Sequence, residues 1–409
     1  MSLYVLALLT LLHALSLTDR FLLSAFGTQI TTDLALSNQQ FGLVSGLAFT
    51  LFYAGSGPVA GLLVDRFGPG PLLGVGVMVW SAMTALTGLA KSFMGLWMPR
   101  SLVGIGEAIL LPAASKILSA RFDPRFNATV FGLFFMGGHA GVGLAFGLGG
   151  SSEIAWRDAF IKLGALGCGL ALLVWLSVRW LRVDQFDSES STSGADIGHL
   201  VRVFIDTLRN NRRLQLALFG LALVHVLYVG MQFLQLWLVQ EKGFLPEQAS
   251  SLYGSVYLLT AIPATILGGL AADQFARFVG CSRALFVSGV LLVCWPAIFA
   301  FRLSEPSSPF FLVGMVFSIA AFAFPYGAMI TVLVDEAPDT IKALVMSAGL
   351  FAGNVLVIGT GSFLLGLSAD WMASAGIDRP LTRSLLAADG LLLLAVLTYF
   401  VLHRASRSL

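Results

Sequence analysis

The chain has 409 residues, 57% of them apolar and only 11% charged, and its 24 basic and 22 acidic side chains leave a net charge of +2. Soluble domains carry roughly a quarter charged residues, so a mean hydropathy of +0.86 excludes a water-soluble enzyme or binding module. The fold class expected is all-α integral membrane, with the lipid bilayer as surroundings and no nucleic-acid partner.

Twelve apolar stretches of membrane length follow in chain order. The first, over 3–31, carries Asp19-Arg20; no basic residue precedes it and no small-residue cleavage site follows, so it reads as a span rather than a leader. Spans two to six are expected over 41–64, 72–89, 93–118, 128–150 and 159–181. The longest polar interval comes next. Asp187-Ser188-Glu189-Ser190-Ser191-Thr192-Ser193-Gly194 has the composition of a flexible linker. After it, Leu200, Val201, Phe204, Ile205 and Leu208 recur at helical spacing opposite Arg202, Asp206 and Arg209, which predicts a short amphipathic helix on the membrane surface. Spans seven to twelve are expected over 214–239, 249–272, 284–301, 310–334, 343–367 and 385–402. The predicted organisation is an N-terminal six-helix bundle over 1–181, a linker with its short helix over 182–213, and a C-terminal six-helix bundle over 214–409.

An even number of spans puts both termini on one side. Arg66, Arg121, Arg125, Arg179, Arg182, Arg202, Arg209, Arg212, Arg213, Arg277, Arg283, Lys342, Arg404 and Arg407 fall in loops on that side. The opposite loops hold only Lys91, Arg157, Lys242, Arg302, Arg379 and Arg383. The positive-inside rule therefore makes both termini cytoplasmic, in the inner membrane if the source is bacterial. Cys168, Cys281 and Cys294 have the spacing of neither a disulfide framework nor a metal site, and no metal or cofactor is expected.

Well inside the spans, ionisable side chains are limited to Asp19 and Arg20 in span one and Arg100 and Glu107 in span four. Each charge at bilayer centre costs about 2.5–3.5 kcal/mol on insertion scales, so such residues point to function. Arg100 and Glu107 are seven residues apart, nearly two turns, and so project from one helix face about 10 Å apart. Span seven carries a polar stripe: His225, Tyr228, Gln232 and Gln235 fall on one arc, either lining a cavity or bonding between helices. His139, Tyr326 beside Pro325, and Asn354 are further candidates, and Lys116 is expected to snorkel to the interface. The second half shows no ionisable residue deep in its spans, which suits an apolar substrate body there and substrate charge in the first half. Gly132, Gly137, Gly141, Gly143, Gly147 and Gly150 allow close helix approach in span five.

The halves echo one another. Gly61-Leu62-Leu63-Val64-Asp65-Arg66-Phe67-Gly68 after span two corresponds to Gly269-Leu270-Ala271-Ala272-Asp273-Gln274-Phe275-Ala276-Arg277 after span eight. Six-plus-six topology with Gly-x-x-x-Asp-Arg-x-Gly resembles the major facilitator superfamily, although Gly70 stands where that family usually continues with a basic residue. The resemblance implies a major-facilitator-type fold and a conformational gate of Gly61, Asp65, Arg66 and Gly68, with Asp273 and Arg277 as counterparts. Arg100-Ser101-Leu102-Val103-Gly104-Ile105-Gly106-Glu107-Ala108, together with Asp19-Arg20, is similar to the Spinster-type branch, with the anion:cation symporter branch second. The first contains lysolipid transporters and the second sugar-acid carriers. Glu107 lies about 20 Å and Asp19 about 18 Å from the outer ends of their helices, so in that fold the two carboxylates share a depth.

A proton-coupling scheme follows: Asp19 and Glu107 exchange a proton, while Arg20 and Arg100 hold either those carboxylates or an anionic substrate group. The candidate substrate-binding residues are Arg20, Arg100, His225, Tyr228, Gln232, Gln235 and Asn354. The function expected is a proton-coupled secondary transporter, working as a monomer by alternating access on an organic anion or a lysolipid-like amphiphile. A small carboxylate or sugar-acid symporter is the alternative, and a non-transporting membrane sensor is the alternative of another class. A membrane-embedded enzyme lacks a nucleophile motif, a ligand-spaced His/Asp/Glu grouping and a phosphate loop.

Overall fold

A computed structural model describes residues 2–123, 126–177, 197–279 and 282–407. The expected linker over 187–194 and Cys281 lie outside the described residues. Regular structure among the described residues is entirely helical, as hydrocarbon demands of a backbone whose unmade hydrogen bonds cost several kcal/mol each. Twelve of these helices are long and apolar enough to cross a membrane: Ser2–Ala25, Asn38–Phe67, Pro69–Gly88, Phe93–Arg121, Thr129–Gly149, Trp156–Leu176, Arg212–Gln232, Pro246–Phe278, Arg283–Leu303, Pro309–Asp335, Leu344–Ser374 and Pro380–Ala405. They are spans one to twelve. Several run past the apolar stretch that marks them in the sequence, because a helix keeps its own hydrogen bonds beyond the hydrocarbon boundary and hydropathy reports only the apolar part.

Their ends follow local chemistry. Ser37 opens span two with a reciprocal capping box, its hydroxyl accepting from the Gln40 amide while the Gln40 side chain accepts from Ser37 N. Gly68, at φ +84°, closes span two in a backbone region that favours glycine, and Pro69 opens span three at once. The Asn211 side chain caps span seven through the Arg213 and Leu214 amides.

The chain forms two compact units. One combines the described residues of Met1–Phe186 with Gln232–Leu258 and Ser362–Trp371. In it, spans one and five pack backbone to backbone: a methyl group added at Gly137 or Gly141 would overlap the carbonyl of Thr10 or Ala14. Spans three and six meet the same way at Gly164, against Ser81 and Ala85. Trp80, Phe21, Phe134 and Phe160 fill the interior. Asp370 reaches the start of span two, where its Oδ1 accepts from Asn38 N at 3.1 Å and its Oδ2 from Gln39 N at 2.8 Å.

The other unit takes the described residues of Asp187–Met231, Leu259–Gly361 and Met372–Leu409. Leu214, Leu221, Val287, Leu291, Met329, Leu333 and Tyr399 form its core. The short helix Ile197–Asn210 lays Val203 and Phe204 on that core and exposes Arg202, Asp206 and Arg209. Ile205, expected on the apolar face, is 41% exposed; Val203 takes its place.

One expectation is overturned in this unit. Arg302 and Asp389, on spans nine and twelve, form an ion pair at 2.8 Å with side chains only 2% and 1% exposed. The second half therefore does hold deep ionisable residues. Span nine runs to Leu303, so Arg302 belongs to the helix and not to a loop; span twelve begins at Pro380, which puts Asp389 about 14 Å along it. The pair neutralises itself, so this unit presents no net buried charge from it. Breaking such a pair costs about 3–5 kcal/mol, whereas an apolar replacement of both members is often neutral. Arg302→Met is thus expected to lower the unfolding temperature in detergent, and Arg302→Met with Asp389→Leu to recover most of the loss.

Candidate functional site

Span four positions the site. It is helical from Phe93 to Glu107, turns at Ala108 and Ile109, and resumes from Leu110 to Arg121. Gly104 lets the span two backbone approach at Phe49 and Tyr53, and Gly106 does the same for span three at Trp80. The glycines beside Glu107 are therefore what bring three helices around it.

Two crossed ion pairs occupy this junction. Arg100 Nη1 donates to Asp19 Oδ2 at 2.8 Å, with side chains 2% and 1% exposed. Arg20 Nη2 donates to Glu107 Oε2 at 2.9 Å, with side chains 19% and 0% exposed. The pairing runs between spans one and four in both cases, and the Asp19 charge also acts on Glu107. Two cations and two anions make the cluster neutral, the arrangement a low-dielectric interior tolerates best. Of the four, only Arg20 retains appreciable access. Its guanidinium carbon lies 4.3 Å from the Phe49 ring centroid and 4.8 Å from that of Tyr53, both on span two, so aromatic faces hold the cation in place. Arg100, expected to hold either a carboxylate or a substrate group, is here sealed against Asp19.

The span seven stripe divides. Gln232 and Gln235 belong to the first unit, where Gln232 Oε1 accepts from the Ser24 hydroxyl and Gln235 Oε1 from Thr28 N at 2.8 Å and Thr28 Oγ1 at 2.9 Å. His225 and Tyr228 belong to the second, within an aromatic group: Phe322 meets them edge-on at 5.5 and 4.6 Å, and Tyr326 stacks on Phe322 at 5.0 Å. Span seven is interrupted near His225 and Phe233, so a single arc drawn at 100° per residue does not persist along it. Asn354 sits in a π-helical stretch, Ala352–Gly359, and donates to Leu350 O at 2.8 Å. His139 Nδ1 lies 3.1 Å from the Tyr257 hydroxyl.

Among the gate candidates, Asp65 accepts from Lys116 at 2.7 Å, with both side chains exposed. Asp273 accepts from Arg283 at 3.0 Å. Arg66 lies against the Phe67 ring, Gly61 has open space where a side chain would begin, and Arg277 is exposed. Sequence reasoning missed Phe49, Tyr53 and Thr84. Aromatic and hydroxyl residues are too common in membrane spans for any of the three to stand out. Thr84, on span three, donates to Asp19 Oδ1 at 2.8 Å.

The profile of the Major Facilitator Superfamily matches residues 9–362. Protein spinster of Drosophila melanogaster is 26% identical over 309 residues, 71% of this chain and 50% of that one, so the match spans only half of spinster's length. A probable sulfoacetate transporter of Cupriavidus necator is 26% identical over 315 residues, 72% of each chain. A crystal structure of a bacterial homolog of the human lysosomal transporter Spinster, inward-facing and unoccupied, superposes with a TM-score of 0.83 over 98% of this chain and 97% of that one at 24% identity, which shows a shared fold.

The geometry makes Arg100 the structural partner of Asp19. Arg100→Ala is expected to destabilise the protein by about 3–5 kcal/mol, and adding Asp19→Asn to restore part of that stability. Thermal unfolding in detergent checks both.

Proposed function

Because the chain belongs to the Major Facilitator Superfamily, we propose that it is a secondary active transporter, not an enzyme, that moves an organic anion together with protons by alternating access. The observation that carries this reading is the neutral quartet of Asp19, Arg20, Arg100 and Glu107, with Arg20 alone partly accessible. A carboxylate, sulfonate or phosphate that reaches Arg20 competes with Glu107 for a fork shaped for such groups. Displaced from Arg20, Glu107 would remain as an uncompensated buried anion, and it avoids this by taking up a proton. The bound anion and the proton together leave the charge of the site unchanged. Coupling is thus an electroneutrality condition: neither species is stable in the site without the other. Asp19, which Arg100 holds, is the second carboxylate of the scheme and exchanges that proton with Glu107.

The stretches Gln232–Leu258 and Ser362–Trp371, which come from spans seven, eight and eleven, cluster with the first unit. The Gln232, Gln235 and Asp370 hydrogen bonds make that association specific. The excess of basic residues in the loops on the side of the termini supports a cytoplasmic position for both. Within the second unit, the aromatic group of His225, Tyr228, Phe322 and Tyr326 suits an apolar or hydroxylated body. Spinster-like relatives favour a lysolipid-like amphiphile, and the sulfoacetate relative favours a small anion.

Reconstitution into liposomes with an acidic exterior tests this, with lysophosphatidylglycerol, sulfoacetate and glucuronate as the probes. Wild-type protein is expected to accumulate at least one of them against its gradient. Glu107→Gln should lose accumulation yet retain exchange, and Arg20→Ala should lose both. Undiminished accumulation by the Glu107 variant contradicts the coupling scheme.

A further inference from the structure

Thr84 has one hydroxyl proton and two acceptors in reach. Its Oγ lies 2.8 Å from Asp19 Oδ1 and 2.9 Å from the carbonyl of Trp80, one turn back on its own helix. Thr84, Asp19 and Arg100 are each 1% exposed, so water does not take over either bond. Asp19 Oδ2 is already engaged by Arg100. Oδ1 is therefore where a proton on Asp19 would sit, and Thr84 is the group it would meet.

We propose that Thr84 is a positioning residue for the coupling proton, a hydroxyl rotor that satisfies Asp19 in both of its protonation states. While Asp19 is ionised, the Thr84 hydroxyl donates to Oδ1. When Asp19 gains a proton, an Oδ1–H bond forms and donates to Thr84 Oγ, and the Thr84 hydrogen turns to the Trp80 carbonyl. Thr84 keeps its own proton throughout, no covalent bond to it breaks, and Arg100 still donates to Oδ2 in both states. Rotation about one bond thus replaces the reorganisation that a buried acid otherwise needs. A backbone carbonyl as the second acceptor is what separates this from a static bond, because a partner that can only donate serves the ionised state alone.

The charged and titratable groups around Asp19 are few. Arg100 pairs with it and Glu107 acts on it from span four; Arg20 follows it and His13 precedes it on span one; His139 on span five acts on His13. Span six presents the Phe160 ring, 6.0 Å from the Arg100 guanidinium carbon. Span three contributes Thr84.

This inference rests on the reading that Asp19 takes part in proton exchange, and the experiment separates the two. Infrared difference spectra of reconstituted protein between alkaline and acidic buffer should show a protonated-carboxyl band that Asp19→Asn removes. Thr84→Val, of nearly equal shape, should move that band to higher frequency by removing its hydrogen-bond acceptor, and Thr84→Ser should return it. In liposomes Thr84→Val should displace the pH midpoint of exchange to higher pH by about half to one unit, because a bond to an ionised group is the stronger of the two lost, with Thr84→Ser near wild type. Thr84→Ala, which also lacks the hydroxyl, repeats the measurement if the Val variant does not purify as a folded monodisperse protein. A band and midpoint unmoved in hydroxyl-free variants overturn the rotor while leaving the role of Asp19 intact. Absence of any band that Asp19→Asn removes overturns both.

Discussion

Everything in this molecule's chemistry turns on one constraint: charge inside hydrocarbon must be balanced locally. Asp19 and Arg20 are neighbours on one helix, Arg100 and Glu107 lie two turns apart on another, and each finds its opposite across the gap. Crossing the pairs locks spans one and four together at a single depth. It also leaves a cluster that is neutral only while every member is matched. A neutral but fully paired cluster is inert; one with an accessible cation is a binding site that cannot accept an anion without an accompanying positive charge. In the proposed transport cycle Arg20, stacked on Phe49 and Tyr53 and a fifth exposed, is that cation.

The packing around the quartet is built to hold it still. Gly104 and Gly106 admit spans two and three against span four, and Gly137 and Gly141 admit span five against span one. Thr18 adds a hydrogen bond to the Gly141 carbonyl at the second of these seams, and Gln232, Gln235 and Asp370 bind spans one and two at their far ends. The pair Arg302–Asp389 in the other unit shows the contrast. It is sealed on both members, and its place is in the packing of spans nine and twelve.

Much of this was legible in the sequence. Twelve spans, the short surface helix and the family follow from hydropathy, periodicity and the Gly-x-x-x-Asp-Arg-x-Gly and Arg-x-Leu-Val-Gly-x-Gly-Glu-Ala stretches. The four charges of the quartet were evident because each is costly where it stands. Their partners were not, since helical spacing shows which face a residue occupies but not what lies opposite. That is why the sequence left Arg100 between a carboxylate and a substrate group, and the structure sets it against Asp19. Arg302 escaped notice because it sits at the end of span nine, where a charge looks like a loop residue, and Asp389 because the apolar stretch of span twelve starts only at Leu385, which hides how far inside the helix it lies. In the polar stripe of span seven, Gln232 and Gln235 make interhelical bonds, one of the two expected roles, while interruptions of the helix reset the single arc that ideal geometry projects. Thr84 carried no signal, because a hydroxyl in a membrane helix ordinarily bonds its own backbone, as it also does here.

The central claim is that anion and proton enter the site as a charge-neutral set. The most direct test is to record charge movement and proton movement together, in proteoliposomes on a solid-supported membrane, for the monovalent anion the protein accumulates. The account predicts one proton taken up per anion, no net current, and no response to an imposed membrane potential at constant pH. Anion uptake that carries current and proceeds without proton movement would contradict it.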